Sequence, residues 1–329
     1  MPDEKNSLVF GEFCFDAEKK HNTKNVFLSH AHADHANFSK KCTVHATPET
    51  AELTTKRFEK YSKGINFEKI IFGERKKFDS FEMELAPSGH VLGAAQAKIF
   101  DNDSGKVTAI TSDFRLNDSI LFKGAEPLQC DTLIIETTFG KPEYVFPKEE
   151  KVILEMEKWI QEKSEKGLIV LAGYALGKAQ ELTRISNDAG IVPIVHESIF
   201  EMNKIYEKHG AKIGKSLPLN HNLKESSVLI VPPSLVNKYL FSTLEYFDKR
   251  KIFSGIATGW PDFGGQYDRT FCLSDHADFN DLVSYVKQAN PKLVLTDHGF
   301  SEEFAHKLNK LGFNAKPLSK HKQRILSEF

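Results

Sequence analysis

Residues 28–35 read LSHAHADH and place three histidines and an aspartate within six positions. On a helix, His30 and His32 would point to nearly opposite sides, whereas residues i and i+2 of an extended strand share a face. The stretch therefore predicts a strand end that runs into a loop, where His30 and His32 converge. Crowded imidazoles repel one another when protonated, so this spacing favours a bound metal ion.

Three further residues of metal-ligand type follow predicted strands. His90 follows MELAPSG, Asp113 follows VTAITS, and His298 ends KLVLTDHG. Open α/β sheets gather their sites at the carboxyl ends of strands. Alone, His90 or His298 would more often be a hydrogen-bonded structural histidine, but together with the histidine-rich loop they indicate a metal site. The remaining histidines considered are interpreted as surface or structural residues: His21, His45, His209, His221, His306 and His321.

The order of strand and helix patterns along the chain predicts an α/β fold built from three segments. Residues 1–145 read as short strands with one helical interruption, and residues 146–257 alternate helix and strand. That alternation is typical of a parallel sheet with covering helices, and the block reads as a compact insert. Residues 258–329 then return to strands and helices that complete the first domain.

Composition excludes several classes of protein. The chain has 329 residues, of which 44 are basic and 45 acidic, so its charge does not mark it as a nucleic-acid binder. The start, MPDEKNSLVF, lacks the features of a secretory signal, and no apolar run is long enough to span a bilayer. We therefore expect a cytoplasmic protein. Its four cysteines are far apart without a C-x-x-C pair, which argues against disulfides and thiolate zinc sites.

The series HxHxDH, SGH, SD and DHG, each after a strand, resembles the metallo-β-lactamase superfamily. The resemblance implies an αββα sandwich that binds two Zn²⁺ ions, with Mn²⁺ as an alternative metal. It assigns the first ion to His30, His32 and His90, the second to Asp34, His35 and His298, and a bridging position to Asp113. It also implies a catalytic part for Asp34 and a supporting contact from Asp16 to the histidine-rich loop.

Two more motifs resemble the β-CASP branch of that superfamily, whose members are nucleases. Glu136 stands in ETTFG and His276 in SDHAD, while His298 in DHG matches a third motif. The resemblance implies an inserted β-CASP-like domain and makes Glu136 and His276 catalytic residues. A carboxylate that keeps His276 protonated would let it bind the scissile phosphate and donate a proton to the leaving oxygen. The alternative for both residues is capping of strand ends.

The stretch LIVLAGYALGKAQEL reads as strand, glycine turn and helix. Free N–H groups at such a helix start attract phosphate, which makes Gly177 and Lys178 candidate contacts to a nucleic-acid backbone. It is not a Walker A loop, because Ala179 stands where Ser or Thr would hold Mg²⁺. A tight turn with no ligand is the alternative.

Together these patterns predict a zinc-dependent nuclease that hydrolyses phosphodiester bonds of single-stranded DNA or RNA. The stretches TTFGKP, YALGKAQ, VPPS and ATGWP look most like the ligase-associated DNA exonucleases, which favours an exonuclease in DNA repair with a DNA ligase or a repair protein as partner. The alternative is an RNA-processing ribonuclease, like the archaeal mRNA 3′-end processing factors. Weaker alternatives are a hydrolase of thioesters or lactones and a non-catalytic binding subunit. Sugar preference, polarity and exo or endo action stay open.

Overall fold

The computed structural model describes residues 8–17, 23–37, 41–220, 222–260 and 266–318. These residues form a mixed α/β structure with three sheets. The strands in chain order are β1 Leu8–Phe10, β2 Phe13–Phe15, β3 Asn25–Phe27, β4 Thr43–Ala46, β5 Asn66–Lys69, β6 Arg75–Lys77, β7 Phe81–Pro87, β8 Ala95–Asp101, β9 Val107–Ile110, β10 Thr132–Glu136, β11 Leu168–Ala172, β12 Ile194–Val195, β13 Leu217–Pro218, β14 Val228–Val231, β15 Ile252–Thr258, β16 Arg269–Cys272, β17 Leu293–Asp297 and β18 Ala315–Pro317.

The helices of the described ranges vary from one to four turns. They are α1 Pro48–Arg57, α2 Glu59–Ser62, α3 Glu149–Ser164, α4 Lys178–Asp188, α5 Glu197–Lys208, α6 Lys238–Phe247, α7 Phe279–Ala289 and α8 Ser301–Lys310, with short 3-10 turns at Leu223–Glu225 and Pro233–Leu235. No helix within these ranges combines the length and the apolar character that crossing a membrane requires.

The chain divides into two compact units. The first unit comprises Met1–Asp118, Lys123–Val145 and His276–Phe329, and the second comprises Ser119–Phe122 and Phe146–Asp275. The second unit continues to Asp275, whereas the sequence analysis expects the insert at residues 146–257. The reason is that β16 pairs in parallel with β15 and so belongs to the sheet of the second unit.

Two sheets of the first unit share one aromatic core. Their strand orders are β1-β2-β3-β4-β5 and β18-β17-β10-β9-β8-β7-β6. Phe10 and Phe13 from the five-stranded sheet meet Phe81 of the seven-stranded sheet edge to face, at ring-centre distances of 5.0 and 5.3 Å. Strand β7 alternates buried Phe81, Met83 and Leu85 with partly exposed glutamates, as a strand with one face in the core should.

The central strand β10, by contrast, is buried along its whole length. Ile134 points into the core between the two sheets, while Leu133 and Ile135 pack on the opposite face with residues of α7 and α8. A strand covered on both faces reads as a continuous apolar run, which explains the sequence TLII. Because side chains alternate, Glu136 at the end of β10 shares the face of Ile134.

The second unit is a six-stranded sheet in which every paired strand is parallel. Its order is β13-β12-β14-β11-β15-β16. In β11, Ile169 and Leu171 pack with α3, α4 and α5, while Leu168, Val170 and Ala172 face the side covered by α6. Both faces are therefore covered, as the alternating helix and strand patterns predict.

Two local predictions differ from the structure. The run KIIFGE is not a strand, because β5 ends at Lys69 and the N–H of Glu74 donates to the carbonyl of Ile71, which closes a turn. Gly73 in this turn has a positive φ of 78°. The sequence patterns also gave no sign of α6, because its exposed Tyr239, Tyr246 and Phe247 add large apolar residues outside the face that packs on the sheet.

His45 on β4 provides a pH-dependent test of the fold. Its side chain is 3% exposed and lies against the rings of Phe13 and Phe78. Burial lowers the pKa of His45 to about 4, although Glu68 acts in the opposite direction. Between the unfolded value near 6.5 and this folded value, the unfolded chain binds more protons, so stability must fall as the pH falls.

We expect this residue alone to cost the metal-free protein on the order of 3 kcal/mol of unfolding free energy between pH 7 and pH 4. Urea unfolding with a chelator present, followed across that range, measures the loss. A His45→Gln variant should be less stable at pH 7 but lose less stability on acidification. An equal slope for the variant and the parent protein would contradict the assignment.

Candidate metal centre

Four side chains of the first unit converge on one point. They are His30, His32, His90 and Asp113, whose nitrogen and oxygen atoms lie within 4.8 Å of one another. The Nε2 atom of His30 is 3.0 Å from Nδ1 of His32, which is 3.1 Å from Nε2 of His90. The Asp113 Oδ2 atom lies 3.5 Å from His30 Nε2 and 3.8 Å from His90 Nε2.

This donor set fits a divalent transition metal. Ligands about 2.0 to 2.1 Å from a tetrahedral Zn²⁺ ion stand about 3.3 Å from one another, close to the spacings of this cluster. Three imidazoles and a carboxylate are also ligand types that zinc accepts, and the described cysteines lie elsewhere. The prediction that His30, His32, His90 and Asp113 come together is thus met by the geometry.

A second group of candidate ligands also approaches Asp113, but its members lie farther apart than those of the first group. The Nε2 atom of His35 is 3.4 Å from Asp113 Oδ2 and 3.8 Å from Asp34 Oδ2. The ring of His298 stacks on that of His35 with their centres 6.0 Å apart. His35 is buried, whereas the side chains of Asp34 and His298 are exposed by 78% and 40%. Asp34 and His298 thus lie at the exposed edge of this group, and the assignment of these residues with His35 to a second ion stays a prediction.

Asp16 supports both groups from behind. Its carboxylate accepts hydrogen bonds from the N–H of Ser29 at 2.8 Å and from the hydroxyl of Ser112 at 2.6 Å, and it lies 3.2 Å from Nδ1 of His35. The Ser29 hydroxyl in turn contacts Nδ1 of His30 at 2.9 Å. Contacts to the ring nitrogen that does not bind the metal fix the orientation of ligating imidazoles.

Burial and neighbouring charges set the protonation of the centre. Burial lowers the pKa of His30 well below its usual value, and His35 and His32 act in the same direction. Burial also acts to lower the pKa of His35, but Asp113 and Asp16 outweigh it and raise that pKa well above normal. The pKa of Asp113 is held well below normal, because His35 outweighs the effect of burial.

Next to the cluster lies a carboxylate–imidazole pair. The Oε1 atom of Glu136 is 2.9 Å from Nδ1 of His276, and the Glu136 carboxylate also accepts hydrogen bonds from the N–H groups of Phe114 and Thr138. Glu136 is buried, while the His276 side chain is 23% exposed. The His276 ring centre is 4.6 Å from that of His90. Both predicted motif residues therefore stand beside the ligand cluster.

The structure corrects the prediction that Lys178 and Gly177 contact phosphate. Lys178 is buried, and its Nζ atom lies 2.5 Å from both Glu181 and Asp275, which more than neutralise its charge. The N–H of Gly177 donates to the side chain of Gln180 at 2.7 Å. Both groups are thus used within the second unit, and the alternative of a tight turn describes this segment.

Three functional neighbours escaped the sequence analysis. Ser29, Ser112 and Asp297 each stand immediately before a predicted ligand, and Asp297 Oδ2 is 3.1 Å from Nδ1 of His298. Their position directly before a ligand is the signal that could have found them. Among the other histidines, His45 is buried and structural, His209 caps α5 and His306 is exposed on α8; His21, His221 and His321 lie outside the described residues.

Two known proteins are similar to a large part of this chain. No family model matches the chain. The chain is 32% identical over 308 residues, 89% of its length, to a protein of Opitutus terrae named "Probable DNA ligase". It is 27% identical over 239 residues, 62% of its length, to one of Methanocaldococcus jannaschii named "Probable RNase MJ4". It spans only 28% and 55% of the lengths of these relatives.

A solved structure shares the fold. It is a protein of unknown function from Enterococcus faecalis, with a TM-score of 0.64 at 18% identity over 92% of this chain and 81% of that one. Given these relatives and the clustered ligands, the chain belongs to the metallo-β-lactamase superfamily, a class of metal-dependent hydrolases. Within that superfamily it belongs to the β-CASP branch.

The support from Ser112 can be tested with metal affinity. In a Ser112→Ala variant, Asp16 loses a hydrogen bond and the His30 and His35 rings lose their indirect support. We expect the affinity for Zn²⁺ to fall by roughly 10-fold or more, as losses of such outer contacts usually do. Competition with a chromogenic chelator measures it. Ser104→Ala, on an exposed turn, is the control; unchanged affinity in Ser112→Ala would refute the supporting role.

Proposed function

We propose that the chain is a metal-dependent nuclease that hydrolyses phosphodiester bonds of single-stranded nucleic acid. The observation that carries the proposal is that the ligand groups on both sides of Asp113 stand beside the Glu136–His276 pair in one unit. Thioester or lactone hydrolysis would need no such second pair. A non-catalytic binding subunit would need neither the ligands nor the pair.

The chain's residues would hold two Zn²⁺ ions, with Mn²⁺ as an alternative. His30, His32 and His90 would bind one, Asp34, His35 and His298 the other, and Asp113 would contact both. When bound, the ions would acidify a water molecule and neutralise charge on the phosphate. Asp16, Ser29 and Ser112 keep the imidazoles oriented, so that no ligand has to reorganise during the reaction.

His276 supplies the proton for the leaving oxygen in this proposal. Glu136 accepts a hydrogen bond at Nδ1 of His276, so the other ring nitrogen, Nε2, is the one directed at substrate. The buried Glu136 carboxylate favours a protonated imidazole, and its N–H partners keep the carboxylate fixed. His276 can thus contact the phosphate and then pass its Nε2 proton to the departing sugar oxygen.

The finer fold assignment is part of this proposal. The first unit, with two sheets packed face to face and α7 and α8 outside one of them, would be the metallo-β-lactamase αββα sandwich. The second unit, with its parallel sheet covered on both faces, would be the β-CASP-like insert. The alternating burial of β7 and the double burial of β10 and β11 support this division.

DNA is the favoured substrate, and a role in DNA repair beside a DNA ligase is the favoured setting. The support is that 89% of this chain aligns within a relative named as a DNA ligase. The relative named as an RNase keeps RNA processing as the second candidate. End-labelled DNA and RNA strands of one sequence, incubated with the zinc-loaded protein and resolved on a gel, distinguish the two and show polarity and mode.

The proton-donor role predicts a dependence on the leaving group. His276→Ala should lower hydrolysis of single-stranded DNA by roughly 10² to 10⁴-fold, the usual contribution of a positioned acid. The loss should be far smaller with thymidine 5′-p-nitrophenyl phosphate, because p-nitrophenolate departs without a proton. Asp113→Asn should abolish hydrolysis of both substrates.

His306→Ala, an exposed histidine on α8 of the same unit, is the matched control and should behave as the parent protein. Equal losses on the two substrates for His276→Ala would contradict its role as the acid. Full activity in a folded Asp113→Asn protein would overturn the assignment of the centre.

A further inference from the structure

The second unit has a crevice at the carboxyl edge of its sheet. Strands β14 and β11 are neighbours, yet the helices that follow them cover opposite faces: α6 after β14 packs with Val170, and α4 after β11 packs with Ile169. Connections that leave adjacent parallel strands toward opposite faces open a crevice outside the strand ends. In open α/β sheets this is the place where ligands bind.

Exposed apolar side chains gather at this edge. Tyr174, two residues beyond β11, is 60% exposed; Trp260, two beyond β15, is 37% exposed; and Leu235, after β14, is 38% exposed. Ala172 at the end of β11 pairs with Val231 of β14 and Ile256 of β15, so the three segments emerge at the same edge. Tyr174 therefore stands between the other two.

A fourth residue connects these segments. Gln266 donates from Nε2 to the carbonyl of Val236 at 3.4 Å, which places the start of β16 beside the turn that holds Leu235. Tyr267, next to Gln266, packs against the α6 side of the sheet. The segments at this edge thus carry three large aromatic side chains, Tyr174, Trp260 and Tyr267.

The chemistry of this edge favours nucleobases over phosphates. Lys178 is neutralised by Glu181 and Asp275, and the N–H of Gly177 donates to Gln180, so neither the Lys178 ammonium group nor the Gly177 N–H is available to a phosphate there. Tyrosine and tryptophan offer flat π faces instead. Stacking on such faces accepts every base and is the usual way that proteins bind single strands without sequence preference.

We propose that Tyr174 and Trp260 form a stacking platform for the bases of single-stranded nucleic acid. The inference rests on the proposed nuclease function and names how the second unit takes hold of the substrate. Leu235 and Tyr267 stand on neighbouring segments at the same edge. The platform binds bases, so it should discriminate a normal strand from one that lacks them.

Tryptophan fluorescence tests the platform directly. The chain has two tryptophans, and Trp159 packs against Phe271, so a Trp159→Phe variant leaves Trp260 as the reporter. The full chain also carries Asp113→Asn, so that the probe stays intact. We expect a 20-mer of thymidine to quench Trp260 on titration. An abasic strand of the same length and charge should not quench it at the same concentrations.

Variants distinguish a loss of base stacking from a loss of folding. In the same background, Tyr174→Ala should raise the dissociation constant for the 20-mer by roughly 10-fold, whereas Tyr174→Phe, which keeps the ring, should bind normally. Tyr246→Ala is the control, because Tyr246 is 74% exposed elsewhere in the same unit. With Asp113 intact, the Tyr246→Ala control should hydrolyse the 20-mer at the parental rate.

The outcomes separate this inference from the proposed function. If the parent protein hydrolyses no phosphodiester, the proposed function fails, and the quenching data still report on base binding. Equal quenching by the abasic strand, or parental affinity in Tyr174→Ala, would overturn the platform. A Tyr174→Ala variant that loses self-association in sedimentation while its affinity for DNA is unchanged would show a protein contact surface instead, and would overturn it too.

Discussion

The candidate metal centre of the first unit depends on the contacts of the Asp113 carboxylate. Its Oδ2 atom lies 3.5 Å from His30, 3.4 Å from His35 and 3.8 Å from His90, and these three imidazoles are buried. Buried histidines so close together would repel one another if protonated, and buried polar groups require partners. The shared carboxylate meets part of both demands, and a metal ion between the rings would meet the rest.

The sheets deliver these groups by simple geometry. Strands β9, β10 and β17 are parallel neighbours, so the residues after them emerge at one edge. Three non-glycine residues around the centre, Asp16, Ser112 and His298, have positive φ angles of 43°, 49° and 57°. Such backbone costs free energy and persists where the surroundings enforce it, which is common at functional sites. The fold thus holds the centre in place at the expense of local strain.

Sequence patterns predicted the parts of this protein that depend on residue type and on the spacing of residues along the chain. His30 and His32 follow β3 two residues apart and their rings meet, and period-2 burial makes the pattern of β7 readable, so both features were predictable. The partners of Lys178 were not, because Asp275 is 97 residues away and only the folded chain brings the two together. The extent of the second unit to Asp275 was hard to see for a related reason, since only the folded chain shows that β15 pairs with β16.

Anomalous diffraction from a crystal grown with Zn²⁺, measured on both sides of the zinc edge, tests the central claim most directly. The account predicts one peak enclosed by His30, His32 and His90, and a second beside His35 and His298, with Asp113 within bonding distance of both. Density at neither position in zinc-saturated crystals at neutral pH, or zinc bound only at unrelated surface residues, would contradict it.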